Sequence, residues 1–203
     1  MKGYLLGLVA VGMLLLPTAS FANLVTNGGF EAPDIAPGSY QLYSSILGWT
    51  ADKGVIEIQD HVAGSPFEAA QFMELDSTQS SSAYQDLATT AGTTYLLSFA
   101  FSARPGYGPT ENILGIYWDG ALIDTLTANG IGFGDTDWHV HTYNVTASGA
   151  TSRLEFADLG VSNSLGTYVD AVSVETAPVP EPASLMLLGT GLVGLARKVR
   201  RKN

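Results

Sequence analysis

The sequence predicts an all-β sandwich, and two features support that prediction. Short stretches that alternate apolar and polar residues fill positions 23–176, and Gly, Pro, Ser, Asn and Asp separate them. The same region has no long stretch with the three- and four-residue apolar spacing of an amphipathic helix. An alternation of period two places every second side chain on one face of a strand, as in strands that share one core.

Ten strands are predicted, at positions 23–27, 54–60, 69–76, 81–87, 93–102, 112–118, 121–127, 137–146, 152–157 and 167–175. The clearest alternation is at 93–102, where four apolar side chains share one face: Tyr95, Leu97, Phe99 and Phe101. Asp119-Gly120 separates two apolar strands, and this dipeptide favours a two-residue primed turn. We therefore expect a hairpin at that point.

The N-terminus has the pattern of an export signal. Lys2 is followed by an uncharged, mostly apolar stretch at positions 3–16, which a proline ends. Ser20 and Ala22 are small residues at the two positions that a signal peptidase reads. We expect residues 1–22 to be a signal peptide that is cleaved after Ala22; a retained N-terminal anchor is the alternative.

The C-terminus combines a short apolar segment with a basic tail. Residues 183–196 are uncharged and mostly apolar, and residues 197–203 carry the basic side chains Arg197, Lys198, Arg200, Arg201 and Lys202. A helix over 183–196 rises about 21 Å, which is less than the hydrocarbon core of about 30 Å. We expect a short transmembrane helix whose basic side chains snorkel and stay on the cytoplasmic side.

A proline-rich linker precedes the apolar segment. It covers residues 177–182 and ends in Pro180-Glu181-Pro182. This motif, the apolar segment and the basic tail, in that order, resemble the PEP-CTERM sorting tail. The resemblance implies a Gram-negative bacterium in which an exosortase, a membrane protease, recognises the tail. A plain C-terminal anchor with a proline-rich spacer is the alternative.

The PEP-CTERM resemblance also implies a destination for the protein. The chain is exported through the inner membrane, is anchored there transiently, and then reaches the cell surface or the extracellular matrix. An association with exopolysaccharide, as in a biofilm matrix, is implied as well. We expect processing to remove the residues beyond about Pro182.

The region between the two ends is strongly acidic. The whole chain has a formal net charge of −10, but residues 23–176 contain 18 acidic residues against the basic residues Lys53, Arg104 and Arg153. Such a domain repels phosphate backbones and anionic membrane surfaces, which excludes nucleic acid as a partner. The chain has no Cys, so disulfides, thiolate metal sites and thiol nucleophiles are excluded as well.

Three segments of this domain resemble the galactose-binding-like jelly roll, a fold that several carbohydrate-binding modules share. They are Asn-Leu-Val-Thr-Asn-Gly-Gly-Phe-Glu at 23–31, Gly-Trp at 48–49, and Thr-Tyr-Val-Asp-Ala-Val-Ser-Val at 167–174. The resemblance implies that Glu31 and Asp170 lie together and hold a structural Ca²⁺ with main-chain carbonyl oxygens. Alternatively, Glu31 caps a turn, and Asp170 pairs with Arg153 or with a backbone N–H.

A saccharide-binding surface is predicted in the Gly- and Pro-rich loop at 104–109. Tyr107 is the aromatic side chain best placed to be held out from the sandwich, where its ring can stack on the apolar face of a sugar. Arg104 beside it can donate hydrogen bonds to sugar hydroxyls. We expect the three tryptophans to pack in the core or at its rim: Trp49, Trp118 and Trp138.

Two further groups of polar residues are candidates for metal binding. His139 and His141 share one strand face and could clamp Zn²⁺ or Cu²⁺, but no third ligand is evident nearby. The simpler expectation is that both face solvent. Asp119, Asp135 and Asp137 lie in Gly-rich loops without the EF-hand pattern, so we expect them to form turns.

The sequence contains none of the motifs that mark serine hydrolases, zinc proteases or phosphate-binding loops. Together with this absence, the two resemblances imply a non-catalytic surface or matrix protein that binds or associates with exopolysaccharide. A structural or adhesive matrix protein without a small-ligand site is the first alternative. A glycan-active hydrolase is the second, because glycosidase carboxylates pair in space and leave no motif.

Overall fold

The computed structural model describes residues 22–177 as a sandwich of two six-stranded antiparallel sheets. The strands are β1 Ser39–Tyr43, β2 Ser45–Ile46, β3 Trp49–Lys53, β4 Ile56–Asp60, β5 Phe72–Leu75, β6 Ser82–Ala88, β7 Thr94–Ser102, β8 Ile113–Trp118, β9 Ala121–Thr127, β10 His139–Thr146, β11 Thr151–Asp158 and β12 Thr167–Thr176. Within this part of the chain there is no helix.

The strand order in the sheets is that of a jelly roll. The β12 sheet has the order β1-β4-β5-β12-β7-β10, and the β11 sheet has the order β2-β3-β6-β11-β8-β9. The last strand thus lies in the middle of one sheet, between strands from the first half of the domain. The predicted all-β jelly-roll sandwich is confirmed.

The core lies between the two sheets and follows from the period-two alternation. The four side chains predicted on one face of β7 are all buried: Tyr95, Leu97, Phe99 and Phe101. Phe99 lies 4.8 Å from the ring of Phe156 in the opposite sheet, and Trp49 lies 6.0 Å from that same ring. Tilted and edge-to-face aromatic pairs at such distances add to the free energy gained by apolar burial.

The predicted hairpin is confirmed. β8 and β9 pair with Trp118 opposite Ala121, and the φ angles of Asp119 and Gly120 between them are 51° and 78°. Positive φ at both central residues is the geometry of a type I′ turn, whose twist suits adjoining strands. Asp119 Oδ1 also accepts the main-chain N–H of Arg153 at 2.9 Å, which ties the turn to β11.

Residues 23–27 do not form the predicted strand. The segment runs beside the end of β12, where the Leu24 N–H donates to the Val174 carbonyl at 2.8 Å. Asn23 replaces further main-chain pairing with its side chain, because its Oδ1 accepts the N–H groups of Val25 and Val174 at 2.9 Å each. Asn side chains compete in this way with strand ladders. The strand prediction is wrong here, although the segment adjoins the last strand as expected.

Three short strands, β1 to β3, occupy a region in which no strand was predicted. β1 forms one edge of the β12 sheet, and β2 forms an edge of the β11 sheet. The side chains of β1 are exposed or half-buried throughout, so this strand shows no apolar alternation. Edge strands without a buried face lack the signal from which strands are predicted.

The predicted terminal segments lie outside the described residues, apart from Ala22 and Ala177. They are the signal peptide at 1–22, the linker at 177–182, the apolar segment at 183–196 and the basic tail at 197–203. Between residues 22 and 177, no helix is long and apolar enough to cross a membrane.

Candidate functional site

A cleft of about 440 Å³ opens where β9 and β10 form the neighbouring edges of the two sheets. We call it the edge cleft. Its lining combines aromatic, aliphatic and polar side chains, among them Phe101, Leu126, Asn129, Phe133, Asp137 and His141. Cavities of this size fall within the range that holds small-molecule ligands.

β10 supplies two histidines to the edge cleft. His139 and His141 stand opposite Phe101 and Phe99 of β7, so their side chains are on the inter-sheet face of β10. The His141 ring stacks on Phe99 with 5.9 Å between ring centroids. The expectation that both histidines face solvent holds for His139, whose side chain is 64% exposed. It is wrong for His141, which is half-buried against Phe99 where the sandwich is open at this edge.

The ionised side chains in the edge cleft carry negative charge. Burial lowers the pKa of His141, and the neighbouring His139 lowers it further, so the His141 ring is neutral at pH 7. Hydrogen bonds from the Thr136 N–H and the Ser65 hydroxyl lower the pKa of Asp135, which is therefore ionised. Of the described residues that line the cleft, none is Lys or Arg.

The loop between β9 and β10 forms the outer wall of the edge cleft. It is held by two main-chain hydrogen bonds of 2.8 Å, from Gly106 N–H to the Gly130 carbonyl and from Gly130 N–H to the Tyr107 carbonyl. A Cβ at position 130 would lie 2.1 Å from the carbonyl oxygen of Arg104, so this approach requires glycine. Phe133 in the same loop is 47% exposed.

The predicted saccharide-binding residues Arg104 and Tyr107 adjoin this loop. Arg104 Nη1 donates to both carboxylate oxygens of Glu74 at 2.8 Å. The Arg104 guanidinium lies 5.7 Å from the ring centroid of Tyr107 and 5.9 Å from that of Tyr168. Arg104 is therefore largely engaged within the protein, and only 16% of its side chain is exposed.

Arg104 belongs to a buried polar cluster on the outer face of the β12 sheet. Glu57 and Gln59 come from β4 and Glu74 comes from β5, and Gln59 Nε2 donates to both carboxylates. Burial raises the pKa of Glu74 to about 8, and the adjacent Glu57 raises it too; burial also raises the pKa of Glu57. Because one guanidinium faces two buried carboxyl groups, the pair retains a proton near neutral pH.

The predicted calcium ligands Glu31 and Asp170 both accept main-chain hydrogen bonds from one loop, residues 67–71, which precedes β5. Glu31 Oε1 accepts the N–H groups of residues 70 and 71 at 3.0 and 2.9 Å. Asp170 Oδ2 accepts those of residues 67 and 68 at 2.9 and 3.1 Å, and burial raises the pKa of this carboxyl to about 7. These contacts agree with the capping alternative. Calcium at Glu31 and Asp170 stays a prediction.

Residues 22–177 contain no group of three or more His, Cys, Asp or Glu side chains that could hold a metal ion. The His139–His141 pair accordingly lacks a third ligand of these types within this range. His139 Nε2 instead lies 3.1 Å from Asp137 Oδ2 at the mouth of the edge cleft.

The three tryptophans pack as expected. Trp49 and Trp118 are buried in the core, and Trp138 packs against Phe72 with 5.7 Å between ring centroids. Each indole N–H donates to a main-chain carbonyl oxygen, at 3.2, 3.1 and 2.8 Å respectively. None of these rings is free to act as an exposed platform.

Asn129 and Phe133 are lining residues that sequence reasoning missed. The signal that could have indicated them is the sequence Gly132-Phe133-Gly134, which holds an aromatic ring between two glycines in a loop. Asp135, which was predicted to form a turn, accepts the adjacent Thr136 N–H at 2.8 Å, and it also accepts the Ser65 N–H at 2.7 Å from a distant loop. It also lines the cleft, which its turn-forming role did not indicate.

Residues 178–202 match the PEP-CTERM protein-sorting motif. The chain carries this sorting motif. The match includes the predicted Pro180-Glu181-Pro182 and the basic residues that follow the apolar segment. The resemblance of the C-terminal tail is thereby confirmed, and the motif marks the chain for export and sorting.

The chain is also similar to a curated protein, the multifunctional-autoprocessing repeats-in-toxin of Vibrio cholerae serotype O1. The two are 29% identical over 157 residues, which cover 74% of this chain and 3% of the toxin. The chain thus spans a small fraction of the length of that relative.

Solved structures with a similar fold include an adhesin domain and carbohydrate-binding modules. The K1 cleaved adhesin domain of Lys-gingipain from Porphyromonas gingivalis has a TM-score of 0.51 at 12% identity, over 64% of this chain and 92% of that domain. A family 16 carbohydrate-binding module has a TM-score of 0.48 at 14% identity, over 75% and 99%. A family 35 module from Clostridium thermocellum has a TM-score of 0.46 at 11% identity, over 68% and 99%. The adhesin domain supports the fold.

Proposed function

We propose that this protein is an exported, non-catalytic saccharide-binding protein and that the edge cleft is its binding site. The observation that carries the proposal is the lining of the cleft, which combines aromatic surface with hydrogen-bonding side chains in one cavity of about 440 Å³. A pyranose ring has apolar faces and a rim of hydroxyl groups, and such a lining complements both.

The aromatic part of the site is Phe133 together with His141. Phe133 is 47% exposed on a loop that main-chain hydrogen bonds hold in place, so its ring can contact a ligand without a large ordering cost. His141 is neutral and rests on Phe99, so it offers both a ring face and a ring nitrogen. Asn129 and Asp137 add hydrogen-bonding groups to the same cavity.

The charge of the cleft narrows the class of saccharide. Asp135 and Asp137 line it and no described Lys or Arg does, so uronic acids and sulfated or phosphorylated sugars are repelled. We therefore propose a neutral or amine-bearing glycan, with the exopolysaccharide of the producing cell as its source. In this proposal, Arg104 and Tyr107 support the loop that forms the outer wall of the cleft.

The charge state of Asp135 argues against a general-acid role for this residue in the edge cleft. A glycosidase needs one carboxyl group whose pKa is raised, so that it can protonate the leaving oxygen. Hydrogen bonds from Thr136 and Ser65 lower the pKa of Asp135 instead. Asp135 is thus ionised and unsuited to act as the general acid.

The proposed route to the cell surface uses both ends of the chain. The predicted signal peptide at 1–22 starts export, and an exosortase-type protease recognises the tail that carries the PEP-CTERM motif. The acidic domain is then released or transferred to the cell surface or the extracellular matrix, where it meets exopolysaccharide.

The experiment is a screen of the full-length chain in non-ionic detergent on an array of neutral, amino and acidic glycans, followed by titration of each glycan bound. We expect saturable binding of neutral or amino glycans. Phe133→Ala and His141→Ala should each weaken it by about tenfold or more, equal to about 1.4 kcal/mol. Tyr40→Ala is the matched control, because Tyr40 is a 55% exposed aromatic side chain on β1 at the opposite edge of the sheet.

Three other outcomes would each contradict part of this proposal. A blank array, together with binding to isolated matrix that free sugars do not compete, would favour the structural or adhesive alternative. Binding that survives Phe133→Ala but is lost in Tyr107→Ala would place the site at Tyr107 and Arg104. Turnover of a bound glycan would identify the protein as a hydrolase.

A further inference from the structure

A second polar cluster lies at the end of the sandwich where β5 and β11 finish. Asp76 follows β5, Asp158 ends β11, and Ser81 connects them. The Asp76 N–H donates to Ser81 Oγ at 3.1 Å, and the Asp158 N–H donates to the Ser81 carbonyl at 2.9 Å. We call Asp76, Ser77 and Asp158 the Asp158 cluster.

Asp158 is the unusual member of this cluster. Its side chain is buried, with 5% of the residue exposed, and no hydrogen bond of normal geometry reaches either carboxylate oxygen, although the Ser80 hydroxyl and the Gly160 N–H lie close enough to lower the pKa of this group. Ser77 Oγ is also buried without a partner. Buried polar groups are nearly always paired, because an unpaired one has lost its hydration and gained no replacement. A buried carboxylate with two unpaired oxygens therefore indicates that something else completes the site.

Asp76 has one carboxylate oxygen that accepts only a long hydrogen bond. Its Oδ2 accepts the N–H groups of Asn163 and Ser164 at 2.8 and 3.0 Å, while its Oδ1 has only the Ser162 hydroxyl at 3.3 Å. Burial raises the pKa of Asp158 to about 6, the Ser80 hydroxyl and the Gly160 N–H lower it, and the negative charge of Asp76 raises it. The shared contacts of Asp76 and Asp158 with Ser81 place the two residues near each other. The cation acting on Asp158 is Lys53, whose side chain is exposed.

We propose that the Asp158 cluster binds a hard divalent cation, Ca²⁺. Both carboxylate oxygens of Asp158, Asp76 Oδ1 and Ser77 Oγ supply oxygen ligands, and loop carbonyl oxygens and water complete the shell. Calcium suits this set because it accepts six to eight oxygens in flexible geometry, whereas Mg²⁺ demands a regular octahedron. Only two carboxylates contribute, so affinity falls in the range of extracellular modules, with Kd of about 10⁻⁴ to 10⁻³ M.

This site is distinct from Glu31 and Asp170. Those two carboxylates already accept main-chain N–H groups of the loop at 67–71, whereas no main-chain hydrogen bond of normal geometry reaches the Asp158 carboxylate. A cation in the Asp158 cluster would join the loop after β5 to the loop between β11 and β12. It would thereby link the two sheets at the end of the sandwich, independently of any ligand in the edge cleft.

The test is the thermal unfolding of the full-length chain in non-ionic detergent, followed by tryptophan fluorescence, in chelator and with Ca²⁺ or Mg²⁺ added to about 10 mM. We expect Ca²⁺ to raise Tm by about 3–6 °C and Mg²⁺ to have a smaller effect. Asp158→Asn should abolish the calcium shift. In chelator it should match or exceed the wild type in Tm, because it removes an unpaired buried charge. Ser77→Ala should weaken calcium binding several-fold without unfolding the protein.

Glu31→Gln is the control for the other predicted calcium site, and it should retain the shift that the Asp158 cluster produces. If Glu31→Gln abolished the shift while Asp158→Asn preserved it, calcium would bind at Glu31 and Asp170 instead. If Asp158→Asn lowered Tm equally with and without calcium, and Lys53→Met did the same, the partner of Asp158 would be Lys53. Either result overturns the proposal, as does a wild-type Tm that Ca²⁺ leaves unchanged.

Discussion

The buried pair of Glu57 and Glu74 makes the stability of the domain depend on pH. Burial raises the pKa of Glu74 to about 8, so the folded state retains a proton that the unfolded chain releases near pH 4.5. The stabilisation is complete below pH 4.5 and is lost as the pH rises through 8. Arg104 and Gly166 N–H oppose this shift, and buried Tyr168 lies beside the cluster.

We predict that the free energy of unfolding falls between pH 5 and 9 in chelator. Glu74 contributes up to about 1.4 kcal/mol per pH unit to this slope, and Asp158 and Asp170, whose pKa values are also raised, add to it. Glu74→Gln cannot ionise, so its slope over this range should be smaller. Glu155→Gln on β11 is the control and should keep the wild-type slope. Denaturant titrations at several pH values measure all three; equal slopes in wild type and Glu74→Gln would disprove the assignment.

Single residues were predictable where their role is local. Asp119-Gly120 indicates its own turn, because a type I′ geometry depends on those two residues alone. Asp158 could not be singled out, since its burial without a hydrogen bond of normal geometry depends on the loops that fold over it. The engagement of Arg104 by Glu74 was equally hidden, because β5 and the loop after β7 meet only in the tertiary structure.

At the scale of elements, strands with one buried face were predictable and edges were not. The alternation in β7 indicates its core face correctly, because the opposite sheet covers that face along the whole strand. β1 lacks alternation because it is an edge strand with exposed side chains. The edge cleft was missed for a related reason: it arises from the separation of two sheet edges, and no single element contains it.

The loop between β9 and β10 offers a test of the edge cleft at this scale. A Cβ at position 130 would lie 2.1 Å from the Arg104 carbonyl oxygen, whereas one at position 134 would meet no atom within 4 Å. We predict that Gly130→Ala displaces the loop, costs about 1–3 kcal/mol of stability and weakens glycan binding. Gly134→Ala in the same loop should leave both quantities close to wild type. Identical behaviour of the two variants in thermal unfolding and glycan titration would mean that the loop wall is not required.

In the chain as a whole, acidic residues are concentrated in the domain and basic residues at the two ends. Six of the nine Lys and Arg residues lie outside residues 23–176, while 18 of the 19 acidic residues lie inside. These terminal patterns are readable from sequence because a sorting signal is recognised as a short linear segment. The proposed binding site could not be predicted from the sequence, since its lining comes from β7, β9, β10 and the loop between the last two.

The apolar segment at 183–196 is short for a permanent anchor, because a helix of that length spans about 21 Å of a core of about 30 Å. A sorting motif covers 178–202, so we predict that mature protein from the producing cell lacks the residues beyond about Pro182. Loss of the basic tail should also shift the product to a lower isoelectric point. Intact-mass spectrometry measures the C-terminus directly.

Replacing Pro180, Glu181 and Pro182 with alanine should leave the tail in place, whereas Ala177→Ser, outside the matched motif, should be processed normally. Mature wild-type protein that carries only intact C-termini would mean that the tail is a permanent anchor.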